Sequence, residues 1–419
     1  MKLKSSLPLL LARGLLGWAA FSGVGRGGEP VDFRVQLDVV RSGFDKKTCW
    51  VHARAGAIPF GEAGKPPTVV MTMQKLLLTG SDVFYALNEV STADDGKSWS
   101  EPVEHTGTLG RREEADGVEV GLCDFTPKWH ARTGRLLGIG HTVRYRDNAV
   151  MKVRPRETAW SVYDPASKTW SAWRPLKMPD EPRFQNAGAG SVQRVDLPDG
   201  DVLVPVYCKR PEDKAYGTVV LRCGFDGSEL VFKEYGDELK VEIDRGLYEP
   251  SLTRFGGRFF LTMRNDRAGY VAAGGDGLHF SEPKIWTFDD GAELGNYNTQ
   301  QHWVTHRDGL FLVYTRKGAE NDHVFRHRAP LFIARVDPVR LCVLRATERV
   351  LVPEKGARLG NFGVTEISPG ETWVTVTEWM QTTGPDPHDF TIPMKHGADN
   401  RVYAARIFWS KPDADFGGR

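Results

Sequence analysis

The chain has almost no excess charge of either sign. Its 419 residues include 55 basic and 54 acidic side chains. A nearly neutral balance provides no basic stripe that could replace counterions on a nucleic acid, and no charged surface that would hold an anionic membrane. We therefore predict that the protein has no nucleic-acid partner.

Cysteine is scarce. The five cysteines are too few for a disulfide framework in a chain of this length, and the CxxC spacing of zinc sites is absent. Cys208 and Cys223 either pair across a hairpin or remain small buried hydrophobic side chains. The sequence leaves both alternatives open.

Two pairs of histidines have a spacing that would suit a metal ion only on a helix. These are His302 with His306 and His323 with His327. Their neighbourhood is rich in β-forming residues, where a spacing of four has no such meaning. We predict no metal site and no cofactor.

Long apolar segments are also missing, apart from one near the start of the sequence. Lys2 and Lys4 precede the apolar stretch 7–20, and small residues follow it. This layout is typical of a secretory signal, and the stretch is shorter than the ~20 apolar residues that a membrane span needs. We predict a signal peptide over 1–28, a single mature domain over 29–419, a secreted or periplasmic location and no membrane span after signal removal.

Long helical periodicity is missing as well. We find no convincing amphipathic helix pattern longer than about ten residues. Short β-branched or aromatic runs occur instead, at 202–208, 258–264, 309–316 and 372–379. Turn sequences lie near them, including PDG at 198–200, GG at 256–257 and RDG at 307–309. The pattern predicts an all-β chain.

A short motif recurs along the chain. Residues 92–99 read TADDGKSW and fit the pattern Ser/Thr-x-Asp-x-Gly-x-x-Trp. A weaker copy, GGDGLHF at 274–280, has Gly275 where the pattern has aspartate, and a third, DPASKTWS at 164–171, lacks the glycine. In such a motif the aspartate accepts backbone N–H groups, the glycine supplies a positive φ and the aromatic ring packs on the turn. The motif therefore predicts blade hairpins rather than a catalytic site.

This motif resembles the Asp-box of sialidases and their relatives. The resemblance implies a six-bladed β-propeller of the sialidase type, and about 380 mature residues at four strands per blade suit that fold. Family active sites lie at one end of the central channel.

The chain also resembles sialidases in the order of the family's catalytic elements. The matching elements are Arg54 before Ile58-Pro59, Asp82 in TGSDVFY, Asp124 in CDFTP, Glu249 in YEP, Arg264 at the end of RFFLTMR, and Arg328 in RAPL. Together they extend from residue 54 to residue 328, which is most of the mature chain.

The resemblance implies that Arg54, Arg264 and Arg328 converge on one carboxylate. Guanidinium groups bind a carboxylate in a bidentate manner and stay charged, which lysine could not reproduce geometrically. The natural ligand is a sugar with a carboxylate at its anomeric carbon. Asp124 and Tyr297 are further candidates for contact with this substrate.

Asp82 and Glu249 are the candidate catalytic residues. The resemblance implies that Asp82 protonates the leaving glycosidic oxygen, whereas a glutamate in the position of Glu249 activates a tyrosine nucleophile. However, Phe362 stands where the family places that tyrosine, and phenylalanine cannot attack. Another hydroxyl, from Tyr297 or Tyr314, could take its place, or Glu249 could activate water directly, or the sugar is not a sialic acid.

The sequence thus favours an exported exo-acting glycoside hydrolase that removes a terminal, acidic sugar from a glycan. Two alternatives stay open. Phe362 and the weakened motif copies would also fit a catalytically silent carbohydrate-binding propeller. A polysaccharide lyase on the same scaffold would need a tyrosine or histidine base and a neutralised uronate.

Overall fold

The strands of the computed structural model pair into six sheets within the part of the chain that the structure describes, residues 31–59, 65–80, 82–383, 385–386 and 388–418. The pairs within each sheet are antiparallel. The signal peptide predicted over 1–28 lies outside the described residues. The predicted single domain over 29–419 stays a prediction.

Three sheets come from residues 48–240, after strand β1 (Phe33–Arg41). The first sheet contains β2 (Thr48–Ile58), β3 (Thr68–Leu77), β4 (Phe84–Thr92) and β5 (Val103–Glu104). The second contains β6 (Arg112–Glu113), β7 (Glu119–His130), β8 (Arg135–Arg146), β9 (Ala149–Val150), β10 (Thr158–Asp164), β11 (Thr169–Trp170) and β12 (Arg174–Pro175). The third contains β13 (Ala187–Gly188), β14 (Val195–Asp196), β15 (Asp201–Cys208), β16 (Gly217–Phe225), β17 (Leu230–Tyr235) and β18 (Leu239–Lys240).

The other three sheets come from the second half. The fourth contains β19 (Tyr248–Phe255), β20 (Arg258–Arg264), β21 (Tyr270–Gly274) and β22 (Lys284–Ile285). The fifth contains β23 (His302–His306), β24 (Gly309–Tyr314), β25 (Leu331–Asp337), β26 (Cys342–Val343) and β27 (Arg349–Val352). The sixth contains β28 (Phe362–Ser368), β29 (Glu371–Thr377), β30 (Val402–Trp409) and β1.

Helices are few and short. There are two short α-helices in the described residues, α1 (Thr106–Leu109) and α2 (Thr391–Lys395). There are also four 3₁₀ turns, at Ala115–Gly117, Pro182–Asn186, Phe325–His327 and Arg345–Thr347. None of the helices in the described residues is long and apolar enough to cross a membrane.

The sheets form a propeller, and this confirms the predicted all-β propeller class. Five sheets are built from consecutive strands, whereas the sixth joins the last three strands to β1, with Phe33 opposite Trp409. Consecutive strands therefore form five blades rather than the predicted six, and the remaining sheet takes β1 from the other end of the described chain. The pairing of β1 with β30 closes the ring through backbone hydrogen bonds, which removes two exposed sheet edges.

The predicted strands and turns lie where the sequence pattern placed them. The four β-forming runs correspond to β15, β20, β24 and β29, and nearly all of their residues are buried. Gly200, Gly256 and Gly257 have φ of 91°, 56° and 80° in the turns before β15 and β20. Glycine is favoured there because a left-handed backbone conformation is sterically costly for other residues.

The hairpin motif at 92–99 forms the turn that its residues predict. The Asp94 carboxylate accepts hydrogen bonds from the Ser98 N–H at 3.0 Å and the Ser98 hydroxyl at 2.6 Å, and Gly96 has φ of 76°. The Trp99 ring lies 6.0 Å from that of Trp373. In the weaker copy, Asp276 rather than residue 275 accepts the backbone N–H groups, at 2.9 Å and 2.8 Å. Its identity as an Asp-box stays a prediction.

The cysteines are all free and buried. Cys208 of β15 lies opposite Gly217, and Cys223 of β16 lies opposite Val202. This register separates the two thiols along the strands, so the alternative of a disulfide across this hairpin is wrong and the alternative of small buried side chains is confirmed.

Candidate functional site

One unusual backbone feature recurs in or just before the innermost strand of five sheets. His52, Asp124, Ser191, Glu249 and Asn298 have φ of 58°, 52°, 58°, 46° and 49°. A left-handed backbone at a residue other than glycine costs on the order of 1–3 kcal/mol and concentrates at functional sites. Three of the five residues lie in β-bulges, where the register shifts in β2, β7 and β19. The bulges redirect side chains, which brings polar residues from separate sheets together at one end of the channel.

Arg54 and Asp124 form a buried ion pair at this end. The Arg54 Nη2 atom lies 3.1 Å from Asp124 Oδ1, and it also donates to Ser191 Oγ at 2.7 Å and Gln300 Oε1 at 3.2 Å. His52 Nε2 lies 3.3 Å from the same carboxylate oxygen. Burial alone would raise the pKa of Asp124, but its contacts with His52 and Arg54 outweigh burial and hold that pKa well below its usual range. Asp124 is therefore ionised and neutralises Arg54.

Arg264 and Arg328 meet at Asn298. Arg264 Nη2 donates to the Asn298 side-chain carbonyl at 2.6 Å, and Arg328 Nε donates to the Asn298 backbone carbonyl at 3.1 Å. Arg264 also donates through Nη1 to both carboxylate oxygens of Glu249, at 2.5 Å and 2.6 Å. Arg328 forms no ion pair within the described residues, and its Nη1 donates to the neutral amide of Asn361 at 3.2 Å. Asn298 thus brings two of the three predicted arginines together, whereas Arg54 pairs with Asp124.

Burial and repulsion act together on Arg328. It is 4% exposed. Burial lowers the pKa of Arg328 well below its usual value, and the charges of Arg264, Arg358 and Arg326 lower it further. Glu249 has the opposite effect on Arg264: its carboxylate outweighs burial and raises the pKa of that guanidinium. The end of the channel therefore carries positive charge that its own carboxylates do not balance.

Asp82 lies beside these arginines. It is half-buried, has φ of 56°, and its backbone carbonyl accepts the Tyr145 hydroxyl at 3.1 Å. Its charge acts on Arg326 and Arg358. Its carboxylate makes no hydrogen bond or ion pair with another described residue, so it is available to a ligand.

No tyrosine among the described residues donates to Glu249. Tyr297 is hydrogen-bonded to His327 Nδ1 at 2.6 Å, and the Tyr314 hydroxyl donates to Glu348 at 2.6 Å. Phe362 is fully buried, and its ring lies 4.9 Å from that of His302. A tyrosine nucleophile activated by Glu249 is therefore not formed at either position considered from the sequence.

Three clustered tyrosines and two arginines near the site were not predicted from the sequence. Ring centroids of Tyr207, Tyr216 and Tyr248 lie 5.5 Å to 6.4 Å apart, and Arg156 donates to the Tyr216 hydroxyl at 2.7 Å. Arg326 and Arg358 act electrostatically on Arg328. These residues come from different sheets, and no local motif marks them. The only sequence signal for the arginines is the run of basic residues at 326–328.

Two groups of side chains in the described residues are close enough to share a metal ion. They are Cys123 with Asp124 and His141, and His323 with Glu354 and His396. Arg54 beside Asp124 repels a cation from the first group. In the second group the His323 and His396 rings are stacked 4.4 Å apart, and His323 Nε2 lies 2.9 Å from Glu354.

A separate cavity of about 430 Å³ is lined by innermost strands of all six sheets. Its lining includes Phe416 and four residues that come after site residues in the sequence, namely Ala55, Thr126, Leu252 and Trp303. The cavity therefore lies further along the channel than the arginine cluster.

Comparison with known proteins shows the fold. No protein-family model and no curated protein sequence matches the chain. Among solved structures, a protein of unknown function from Dyadobacter fermentans aligns with a TM-score of 0.59 at 14% identity over 89% of this chain and 99% of its own. The Hadza microbial sialidase Hz136 aligns with a TM-score of 0.59 at 11% identity over 90% of this chain and 68% of its own.

A Trypanosoma rangeli sialidase in complex with the inhibitor DANA aligns with a TM-score of 0.54 at 13% identity over 91% of this chain. This chain spans 59% of the length of that enzyme. Likeness at such low identity is evidence of shared architecture rather than shared chemistry. The chain therefore has a sialidase-like propeller fold.

Proposed function

We propose that the protein is an exported glycoside hydrolase that removes a terminal acidic sugar from a glycan. The observation that carries this proposal is the meeting of Arg264 and Arg328 at Asn298, where Arg328 has no acidic partner among the described residues. A sugar carboxylate would supply the missing negative charge and accept hydrogen bonds from both guanidiniums. The Trypanosoma rangeli sialidase that shares the fold has been captured with sialic acid, a sugar of this class.

The neighbouring residues supply the chemistry of hydrolysis. Asp82, with its carboxylate available to a ligand, donates a proton to the leaving glycosidic oxygen. Glu249, held in place by Arg264, accepts a proton from the attacking water. Arg54 and Asp124 position the innermost strands beneath them through contacts with Ser191 and Gln300.

Replacing Arg328 with glutamine should weaken the binding of acidic sugars by about 10- to 100-fold, the range for a charge-assisted hydrogen bond. Titration calorimetry with N-acetylneuraminic acid and with glucuronic acid measures the change. An Arg345→Gln variant is the control, because Arg345 is an exposed arginine that pairs with Asp290. Equal affinities in wild type and Arg328→Gln would contradict the proposed site.

Hydrolysis should proceed with inversion at the anomeric carbon. Since Phe362 has no nucleophilic atom and no described tyrosine donates to Glu249, water is the attacking group. Proton NMR at the start of the reaction identifies the first-formed anomer. Retention of configuration would contradict direct attack by water and would call for a covalent intermediate on another side chain.

A catalytically silent carbohydrate-binding propeller is the second candidate. The burial of Phe362 favours it, and so does the finding that no tyrosine in the described ranges donates to Glu249. Binding of an acidic sugar without release of a fluorophore from any acidic 4-methylumbelliferyl glycoside would support this candidate. A product that absorbs in the near ultraviolet would instead indicate a lyase.

A further inference from the structure

We propose that Arg326 and Arg358 form a second anion subsite beside the carboxylate-binding arginines, so that the substrate is an acidic sugar carrying a further oxyanion group. A sulfate ester or a second carboxylate would provide that group. This inference rests on the proposed function for the first carboxylate, but the second subsite can be tested without it.

Phe325 contacts both guanidiniums. The Arg326 guanidinium lies 4.8 Å from the centre of the Phe325 ring, and the Arg358 guanidinium also lies 4.8 Å from it. Trp379 supports Arg358 from a second aromatic ring at 4.0 Å. Aromatic rings hold the planes of both guanidiniums while leaving N–H groups at their edges free to donate.

Arg358 has donor capacity that the protein does not use. The residue is 4% exposed, and its Nε atom is buried without a hydrogen-bond partner in the described residues. Its Nη2 donates to the Gln381 side-chain carbonyl, which is neutral. A buried guanidinium N–H without an acceptor is costly. The described residues therefore leave donor groups of Arg358 without acceptors.

The charge of the two arginines is also uncompensated. Neither Arg326 nor Arg358 is in an ion pair with a described residue, and Asp82 acts on them only from beyond ion-pair distance. Burial lowers the pKa of Arg358 to about 9, and repulsion from Arg326 contributes to that shift. An anion near both guanidiniums would offset this repulsion.

The second subsite adjoins the first. The Leu359 N–H donates to the Arg328 carbonyl at 2.6 Å, so the backbones at residues 358 and 328 run side by side. The Arg328 side chain turns towards Asn298 and Asn361, whereas that of Arg358 turns towards Trp379 and Gln381. Two anionic groups on one sugar residue can therefore be bound by different arginines.

The competing explanation is that Arg358 stacks on aromatic rings only to stabilise the fold. Arg345 provides a matched control, because its guanidinium lies 3.7 Å from the Phe288 ring at the protein surface. The test compares wild type, Arg358→Gln, Arg326→Gln and Arg345→Gln by titration calorimetry. The probes are glucuronate, its 2-, 3- and 4-O-sulfates, and the dicarboxylate glucarate.

We expect at least one dianionic probe to bind wild type about tenfold or more tightly than glucuronate, the effect of an added charge-assisted hydrogen bond. This preference should disappear in Arg358→Gln and Arg326→Gln and persist in Arg345→Gln. Preference for the sulfates over glucarate assigns a sulfate ester, and the reverse assigns a second carboxylate. No preference in wild type, or a preference that survives both substitutions, would overturn the proposal.

Inorganic sulfate separates this proposal from the proposed function. Sulfate should raise the melting temperature of wild type, Arg328→Gln and Arg345→Gln by more than that of Arg326→Gln, because exclusion of sulfate from the protein surface stabilises all four proteins alike and the subsite adds to that effect. Arg326 is exposed, so its replacement leaves the core intact. If no sugar acid binds but this sulfate pattern holds, the carboxylate proposal fails and the second subsite stands. Equal stabilisation of all four proteins by sulfate would overturn the second subsite even if glucuronate binds.

Discussion

Asp82→Asn is expected to lower turnover by ~10²-fold or more, the scale of lost general acid catalysis. Asparagine has nearly the same shape but carries no proton that it can transfer to the leaving oxygen. Asp82 is suited to that transfer because its charge acts on the arginine cluster and its carboxylate makes no hydrogen bond or ion pair with another described residue. Initial rates on an acidic 4-methylumbelliferyl glycoside and on an unactivated acidic disaccharide measure the loss.

The two substrates separate acid catalysis from binding. Methylumbelliferone needs little protonation to leave, so the rate loss should be smaller for that substrate than for the disaccharide. Asp95→Asn is the matched control, because Asp95 also has a left-handed backbone, with φ of 60°, but lies in the hairpin turn at 92–99. Wild-type turnover of the disaccharide by Asp82→Asn would remove Asp82 from the mechanism.

The strands and turns could be predicted from the sequence because their causes are local. The run at 202–208 is apolar throughout and does not alternate with polar residues. Such a run predicts a strand that is buried on both faces, and all residues of β15 are buried. The pair Gly256-Gly257 forms a turn because both residues have positive φ. The closing pair, β1 with β30, depends on a contact between residues more than 350 positions apart, as in Phe33 with Trp409. No local pattern indicates that contact.

The candidate site was only partly predictable for the same reason. Arg264 and Glu249 could be found because the resemblance supplies their order, and the structure joins them directly. Tyr297 was chosen for its hydroxyl, but the adjacent Asn298 is the residue that contacts both arginines, because its left-handed backbone redirects the chain. Neither the bulges nor the stacking of Arg358 on Phe325 has a sequence signature, since both depend on packing between parts of the chain that are distant in sequence.

Mild acid should destabilise the fold at pH values well above those at which carboxylates titrate. Burial lowers the pKa of His141 to about 3 and that of His302 to about 3, and it lowers the pKa of His52 as well. Histidine in an unfolded chain titrates near 6.5, so below about pH 6.5 the unfolded chain binds protons that the folded chain excludes. Stability from these histidines is therefore complete above about pH 6.5 and is lost as the pH falls towards 3.

The expected loss is large and can be assigned to one residue. Each excluded proton lowers the free energy of unfolding by about 1.4 kcal/mol per pH unit, so two buried histidines remove roughly 5 kcal/mol between about pH 6.5 and 4.5. Urea unfolding at several pH values measures this slope.

His302→Gln should reduce the slope by the share of one proton. Glutamine can replace the hydrogen bond with Ser251, 2.6 Å in wild type, but does not titrate. His279→Gln should not reduce the slope, since His279 is exposed and its hydrogen bond with Asp276 raises its pKa. A wild-type free energy of unfolding that stays constant from about pH 6.5 to 4.5 would mean that the folded protein protonates His141 and His302 as readily as the unfolded chain does.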